Sequence, residues 1–152
     1  MESTYNRDMY PQTRIYPIRC GLKPPLVDII AQNEERAWFM CTVTALNEIT
    51  SRVVQAARDS LGDKLHKVIL YGSYARGDYD DESDIDIMVL ADVTREEANE
   101  ADKKISALLR GIDLEYSVMV SVMVTSSAMY YAFLNASGFY KNVQKDGMVL
   151  CA

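Results

Sequence analysis

Two short apolar runs, residues 67–71 (KVILY) and 84–90 (DIDIMVL), flank a polar stretch of about a dozen residues. Runs of this length, rich in Val and Ile and closed by Gly or acids, suit strands better than helices. Between them the sequence reads GSYARGDYDDES, which is loop chemistry. A pair of buried strands joined by a polar loop constrains the fold more than any other feature of the chain.

The flanking segments have a different period. Leu46, Ile49, Val53, Ala57 and Leu61 recur at helical spacing, and Gly62 is placed to end that helix. Residues 94–110 read as a second helix. Thr94 and Glu97 give its capping-box pattern, Ala98, Ala101, Ile105 and Leu108 its apolar stripe, and Gly111 its stop. Residues 113–124 alternate strictly and predict a third strand. Leu114, Tyr116, Val118, Val120, Val122 and Val124 fall on one face, and Asp113, Glu115, Ser117, Met119, Ser121 and Met123 on the other. A helix over 125–134 capped by Ser126 or Ser127, a shorter one over 139–145 stopped at Gly147, and an edge strand at Met148–Cys151 complete the reading. The predicted class is α/β (α+β): a small mixed sheet with helices on one face and the functional site on the other.

Residues 1–39 hold all four prolines, Pro11, Pro17, Pro24 and Pro25, and keep no sustained period. They read as an irregular arm, with a short helix over 26–39 as its one candidate element. Alternatively, Met40 is the native start and the upstream segment is extra sequence. Either way the regular domain spans 40–152, and 152 residues suit a single domain. The chain has 22 acids against 16 bases, a net charge of -6, which argues against a polynucleotide partner. Cys20, Cys41 and Cys151 form no C-x-x-C pair, so neither a disulfide scaffold nor a structural zinc site is expected. The polar start lacks the apolar region of a signal peptide, and no apolar run reaches membrane-spanning length. A soluble, cytoplasmic protein is expected.

The chemistry lies in the loop and its rims. Gly72 ends the first strand and permits close backbone approach, and Ser73 opens a turn whose free N–H groups and hydroxyl suit phosphate oxygens. Asp84 and Asp86, two apart on a strand, project to the same side while Ile85, Ile87 and Val89 face the core. Two adjacent carboxylates repel, and a divalent cation relieves them. Magnesium prefers oxygen donors, typically one or two carboxylates plus substrate phosphates. The plain alternative is an acidic loop, Asp80, Asp81, Glu82, Asp84 and Asp86, running into an edge strand. It leaves the preceding Gly72-Ser73 corner without a reason.

The pattern Gly72-Ser73-x-Ala75-Arg76-Gly77, followed by Ser83-Asp84-x-Asp86, resembles the signature of the minimal nucleotidyltransferases, within the DNA polymerase beta-like superfamily. The order of elements from about Val43 onward is similar as well. The resemblance implies that Gly72 and Ser73 hold the phosphates of an NTP, with ATP the first candidate. It implies that Arg76 and Ser83 support the loop or the phosphates, and that Asp84 and Asp86 ligate magnesium, two ions in all. The family's third carboxylate would be Glu115, with Asp113 second; Ser117 stands where relatives carry an acid. The implied reaction moves a nucleoside monophosphate onto a hydroxyl acceptor. One candidate acceptor is a small helical HEPN-type partner protein, and another is a small molecule of the aminoglycoside kind. A chain this short leaves the cleft to be completed by a protein partner or by a homo-oligomer. Ser117 also keeps open a catalytically weakened module that binds nucleotide or partner. His66 reads as a surface residue just before a strand, Met119 and Met123 as packing residues, and Tyr130, Tyr131 and Tyr140 as core or interface.

Overall fold

A computed structural model describes residues 43–80 and 82–152, so the expectations for residues 1–39 lie outside the described residues. The chain runs α1 (Val43–Leu61), a 3-10 turn (Gly62–Lys64), β1 (Leu65–Tyr71), α2 (Gly72–Arg76), β2 (Ile85–Ala91) and α3 (Arg95–Leu108). It continues through α4 (Ile112–Tyr116), β3 (Val120–Ser126), α5 (Ser127–Phe133), α6 (Gly138–Asp146) and β4 (Met148–Cys151). The sheet order is β3-β2-β1-β4. β1 pairs antiparallel with β2 and β4, while β2 and β3 run parallel. A parallel pair needs a crossover, and α3 supplies it.

The register fixes which side chains share a face. Ile85, Ile87 and Val89 of β2 stand beside Val120, Val122 and Val124 of β3. Together with Val68 and Leu70 of β1 they meet the stripes of α1 and α3 in the main core. In α1 that stripe is Leu46, Ile49, Val53, Ala57 and Leu61, all buried as the periodicity requires. The start of α3 carries the full capping box: the Glu97 N–H donates to the Thr94 hydroxyl, and the Thr94 N–H donates to the Glu97 carboxylate.

The two long helices cover one face as expected, but the other face is not bare. Ile69, Met88, Leu90, Tyr130, Leu134, Val143 and Val149 form a second, smaller cluster there, under α5 and α6. β2 is therefore buried on both faces toward its C-terminal end, which explains its unbroken apolar run.

Two expectations need correction. Leu108 is 61% exposed, and Leu109 closes the stripe of α3 instead. After Ile105 the buried face continues four residues on, at Leu109, rather than three on, at Leu108, and a 3.6-residue period allows either step. The third strand begins at Val120 rather than Asp113, because Ile112–Tyr116 forms a helical turn and Ser117 adopts a left-handed conformation with φ 53°. The alternation over 113–119 is coincidental to that turn. β3 is an edge strand, and two carboxylates cap its backbone: Asp113 accepts from the Val120 N–H and Asp102 from the Val124 N–H. Charged caps of this kind hinder edge-to-edge pairing.

Candidate active site

β1 ends at Tyr71, and the backbone turns at once into α2. Gly72 takes φ +75°, a left-handed conformation that favours glycine. The turn closes through the Ser73 carbonyl, which accepts from the N–H groups of Gly77 and Asp78 at 2.9 and 3.2 Å. Beneath it Tyr74 and Tyr79 stack with centroids 4.2 Å apart, both buried, and pin the loop to the core. The loop then tightens around Asp80. Its carboxylate accepts from the Ser83 hydroxyl at 2.7 Å and from the Glu82 N–H at 3.2 Å. These bonds hold the Asp80 carboxyl below the usual carboxylate range, the Ser83 bond most of all. Ser83 thus organises the turn that delivers Asp84 to β2.

Asp86 stands directly across from Tyr71 on β1 and from Ser121 on β3. Its neighbours Ile85 and Ile87 point into the main core, so Asp86 points to the opposite face. There it is half-buried and packs against Gly72, where an added Cβ would lie 2.5 Å from the Asp86 Oδ2. Burial pushes the Asp86 carboxyl up, the nearby Asp84 charge pushes it further, and the Arg76 guanidinium opposes both. Arg76 also donates to Asp78 at 3.1 Å. Gly72, Ser73, Arg76, Asp84 and Asp86 are thereby drawn to one rim of the sheet.

Glu115 does not join them. It sits on α4 and forms a two-pronged pair with Arg52 of α1, at 2.7 and 3.1 Å. Asp113 caps β3 instead. Among the described residues, no group of three His, Cys, Asp or Glu side chains could hold a metal ion. The residue beside Asp86 on the neighbouring strand is Ser121, with the exposed Met123 on the same face. Sequence reasoning missed Ser121 and Tyr71 as neighbours of the carboxylates, since strand register leaves no local signal in a single sequence. His66 lies within β1 rather than before it, half-buried, with its Nδ1 3.2 Å from the Ser127 hydroxyl. Burial holds its pKa below the usual value, with the Lys67 charge adding to the effect.

Residues 51–131 match the sequence profile of the Nucleotidyltransferase domain, more than half of the chain and all of the rim just described. The chain belongs to this nucleotidyltransferase family. A candidate protein adenylyltransferase of Methanocaldococcus jannaschii is 36% identical over 97 residues, which cover 64% of this chain and 89% of that relative. A second from the same organism is 37% identical over 75 residues, covering 49% of this chain and 74% of the relative. A solved structure of a candidate nucleotidyltransferase from Sulfolobus solfataricus aligns over 86% of this chain and 90% of its own, at 20% identity and a TM-score of 0.46. Among the described residues, no helix is long and apolar enough to cross a membrane.

Proposed function

We propose that this nucleotidyltransferase takes ATP and transfers AMP to a hydroxyl group on a protein acceptor. The observation that carries the reading is the contact of Asp86 with Gly72. A half-buried Asp86, with the exposed Asp84 close by, packs against a glycine corner suited to phosphate. The relatives' description as candidate protein adenylyltransferases supports the nucleotide and the class of acceptor. The resemblance of the motif to minimal nucleotidyltransferases adds a small helical HEPN-type protein as the first acceptor to try.

The donor chemistry fits magnesium. Asp84, just before β2, and Asp86, on it, offer hard oxygen atoms close together, and the pKa of Asp86 is raised by burial and by its neighbour's charge, a cost that a bound cation relieves. Asp84 and Asp86 would hold it, with triphosphate oxygens completing the shell. Bound there, the ion would supply charge neutralisation at the transferring phosphoryl group. The chain's own residues do the rest. Gly72 and Ser73 seat the phosphates, Arg76 adds positive charge at the rim, and Ser83 holds the loop in place. The acceptor oxygen attacks the α-phosphorus, the new O–P bond forms as the bond to the bridging oxygen breaks, and pyrophosphate leaves while the acceptor proton passes to solvent. Catalysis of this kind is mainly positioning and electrostatics.

A second reading, a nucleotide- or partner-binding module with weakened chemistry, draws on Ser121, which puts a hydroxyl where a third carboxylate on β3 would lie beside Asp86. One experiment separates the two. Calorimetric titration with ATP and magnesium is run on the wild type and on Asp84→Asn/Asp86→Asn, followed by labelled AMP transfer to candidate helical partners. Magnesium-dependent ATP binding that the double variant loses, with label on a partner, supports the transferase. Binding without any transfer supports the module. No binding at millimolar ATP refutes both.

A further inference from the structure

Five aromatic rings and His66 run in a chain along the face that carries Asp86. Tyr71 meets Phe139 edge-on at 5.5 Å, Phe139 meets Tyr140 at 5.5 Å, Tyr140 meets Tyr130 at 5.1 Å, and Tyr130 meets Tyr131 at 5.1 Å. The far end closes on His66, 6.4 Å from Tyr131. Most of this chain is structural: Tyr130 is buried, and Tyr71, Tyr131 and Tyr140 pack half-buried against the second cluster. Phe139 differs. It is 41% exposed although it lies in the first turn of the packed helix α6.

Its position gives that exposure a use. α6 packs against both α2 and β1. The ring that Phe139 touches, Tyr71, is followed immediately by Gly72-Ser73 and stands in register with Asp86. The open ring therefore flanks the corner that seats the phosphates. The opposite flank of the carboxylates, over β3, is floored by Ser121 and Met123, both exposed among the described residues.

We propose that Phe139, backed by Tyr71, is the stacking platform for the nucleobase of the bound NTP. The proposal rests on the reading of Gly72-Ser73 and Asp84/Asp86 as an NTP site and adds to it the part that holds the base. An aromatic face is tolerant of base identity but favours the larger purine ring, and no hydrogen-bonding group of the base is required.

The test compares two ligands, ATP and inorganic tripolyphosphate, each with magnesium, on the wild type, Phe139→Leu and Phe139→Trp. Phe139→Leu is expected to weaken ATP about five- to tenfold and to leave tripolyphosphate unchanged. Phe139→Trp is expected to keep ATP affinity, and its indole emission to be quenched by ATP but not by tripolyphosphate. Wild-type affinity for ATP in Phe139→Leu overturns the proposal, as does equal weakening of both ligands. If Phe139→Leu fails to fold, the tryptophan variant decides: ATP-specific quenching supports the platform, and its absence refutes it. A wild type that binds tripolyphosphate as well as ATP removes the base platform and leaves the phosphate site standing. A wild type that binds neither refutes the NTP reading beneath it.

Discussion

Gly72 and Asp86 touch across the β1–β2 pair, and the contact leaves no room for a side chain: a Cβ at position 72 would meet the Asp86 Oδ2 at 2.5 Å. Gly72 also sits at φ +75°, where an L-residue is strained whatever the space. Gly72→Ala therefore acts twice. The left-handed backbone should cost about 1–2 kcal/mol of stability, and the methyl group should push the carboxylate out of place. The expected result is a lower denaturation midpoint together with loss of magnesium-dependent ATP binding. Full ATP affinity in this variant would show that the contact does not set the site.

Asp86→Asn should separate stability from function. Burial and the Asp84 charge raise the Asp86 pKa in the folded state, so ionised Asp86 destabilises the fold. A raised carboxyl binds its proton more tightly when folded, so the penalty is present above the folded pKa and fades as pH falls toward the ordinary carboxylate range. The neutral amide removes it. Without magnesium, Asp86→Asn should melt higher than wild type near neutral pH, with the gap closing on acidification, and should no longer bind ATP with magnesium. Such exchange of stability for activity is common at sites of this kind. A variant less stable than wild type across this range would mean that Asp86 holds the fold together.

Much of this architecture was legible in the residues. The α1 stripe, the Thr94/Glu97 capping box, both central strands and the edge strand at Met148–Cys151 each follow from local chemistry, and the structure places them within a residue or two. The errors share a cause. Alternation over 113–119 looked like a strand, yet Gly111 at φ +98° and Ser117 at φ +53° turn the backbone out of the extended region. The left-handed state of a serine is not visible in sequence. Neither is register, so the chain could show that Asp84 and Asp86 share a face but not that Ser121 stands beside them.

Glu115 illustrates the consequence. Held by Arg52 on α1, its carboxyl lies below the usual range, chiefly through that hydrogen-bonded pair. A depressed carboxylate contributes stability above its unfolded pKa and loses it as pH falls through the folded one. Glu115→Gln should lower the melting temperature slightly at neutral pH and low salt, and the difference should shrink in high salt because the pair is exposed. Magnesium-dependent ATP binding should be unchanged. A loss of binding without a loss of stability would restore Glu115 to the metal site.

Ser121→Asp tests the register at the site itself. Ser121 and Asp86 are paired residues of parallel strands, with Val120 and Val122 beside Ile85 and Ile87 in the main core, so both side chains project to the carboxylate face. A third carboxylate there adds repulsion to Asp86, whose ionised form is already disfavoured by burial and by the Asp84 charge. Without divalent ions the variant should melt lower than wild type. With magnesium or manganese it should recover more than wild type does, because three carboxylates bind a hard cation more tightly than two. The measurement is the melting temperature against metal concentration, with calcium as a larger ion for comparison and Ser121→Asn as the neutral control. Metal-dependent recovery in the aspartate variant alone would place position 121 within reach of an ion held by Asp84 and Asp86. Equal metal response in the wild type, the aspartate variant and the asparagine variant would put that ion elsewhere and remove the main support for the two-carboxylate site.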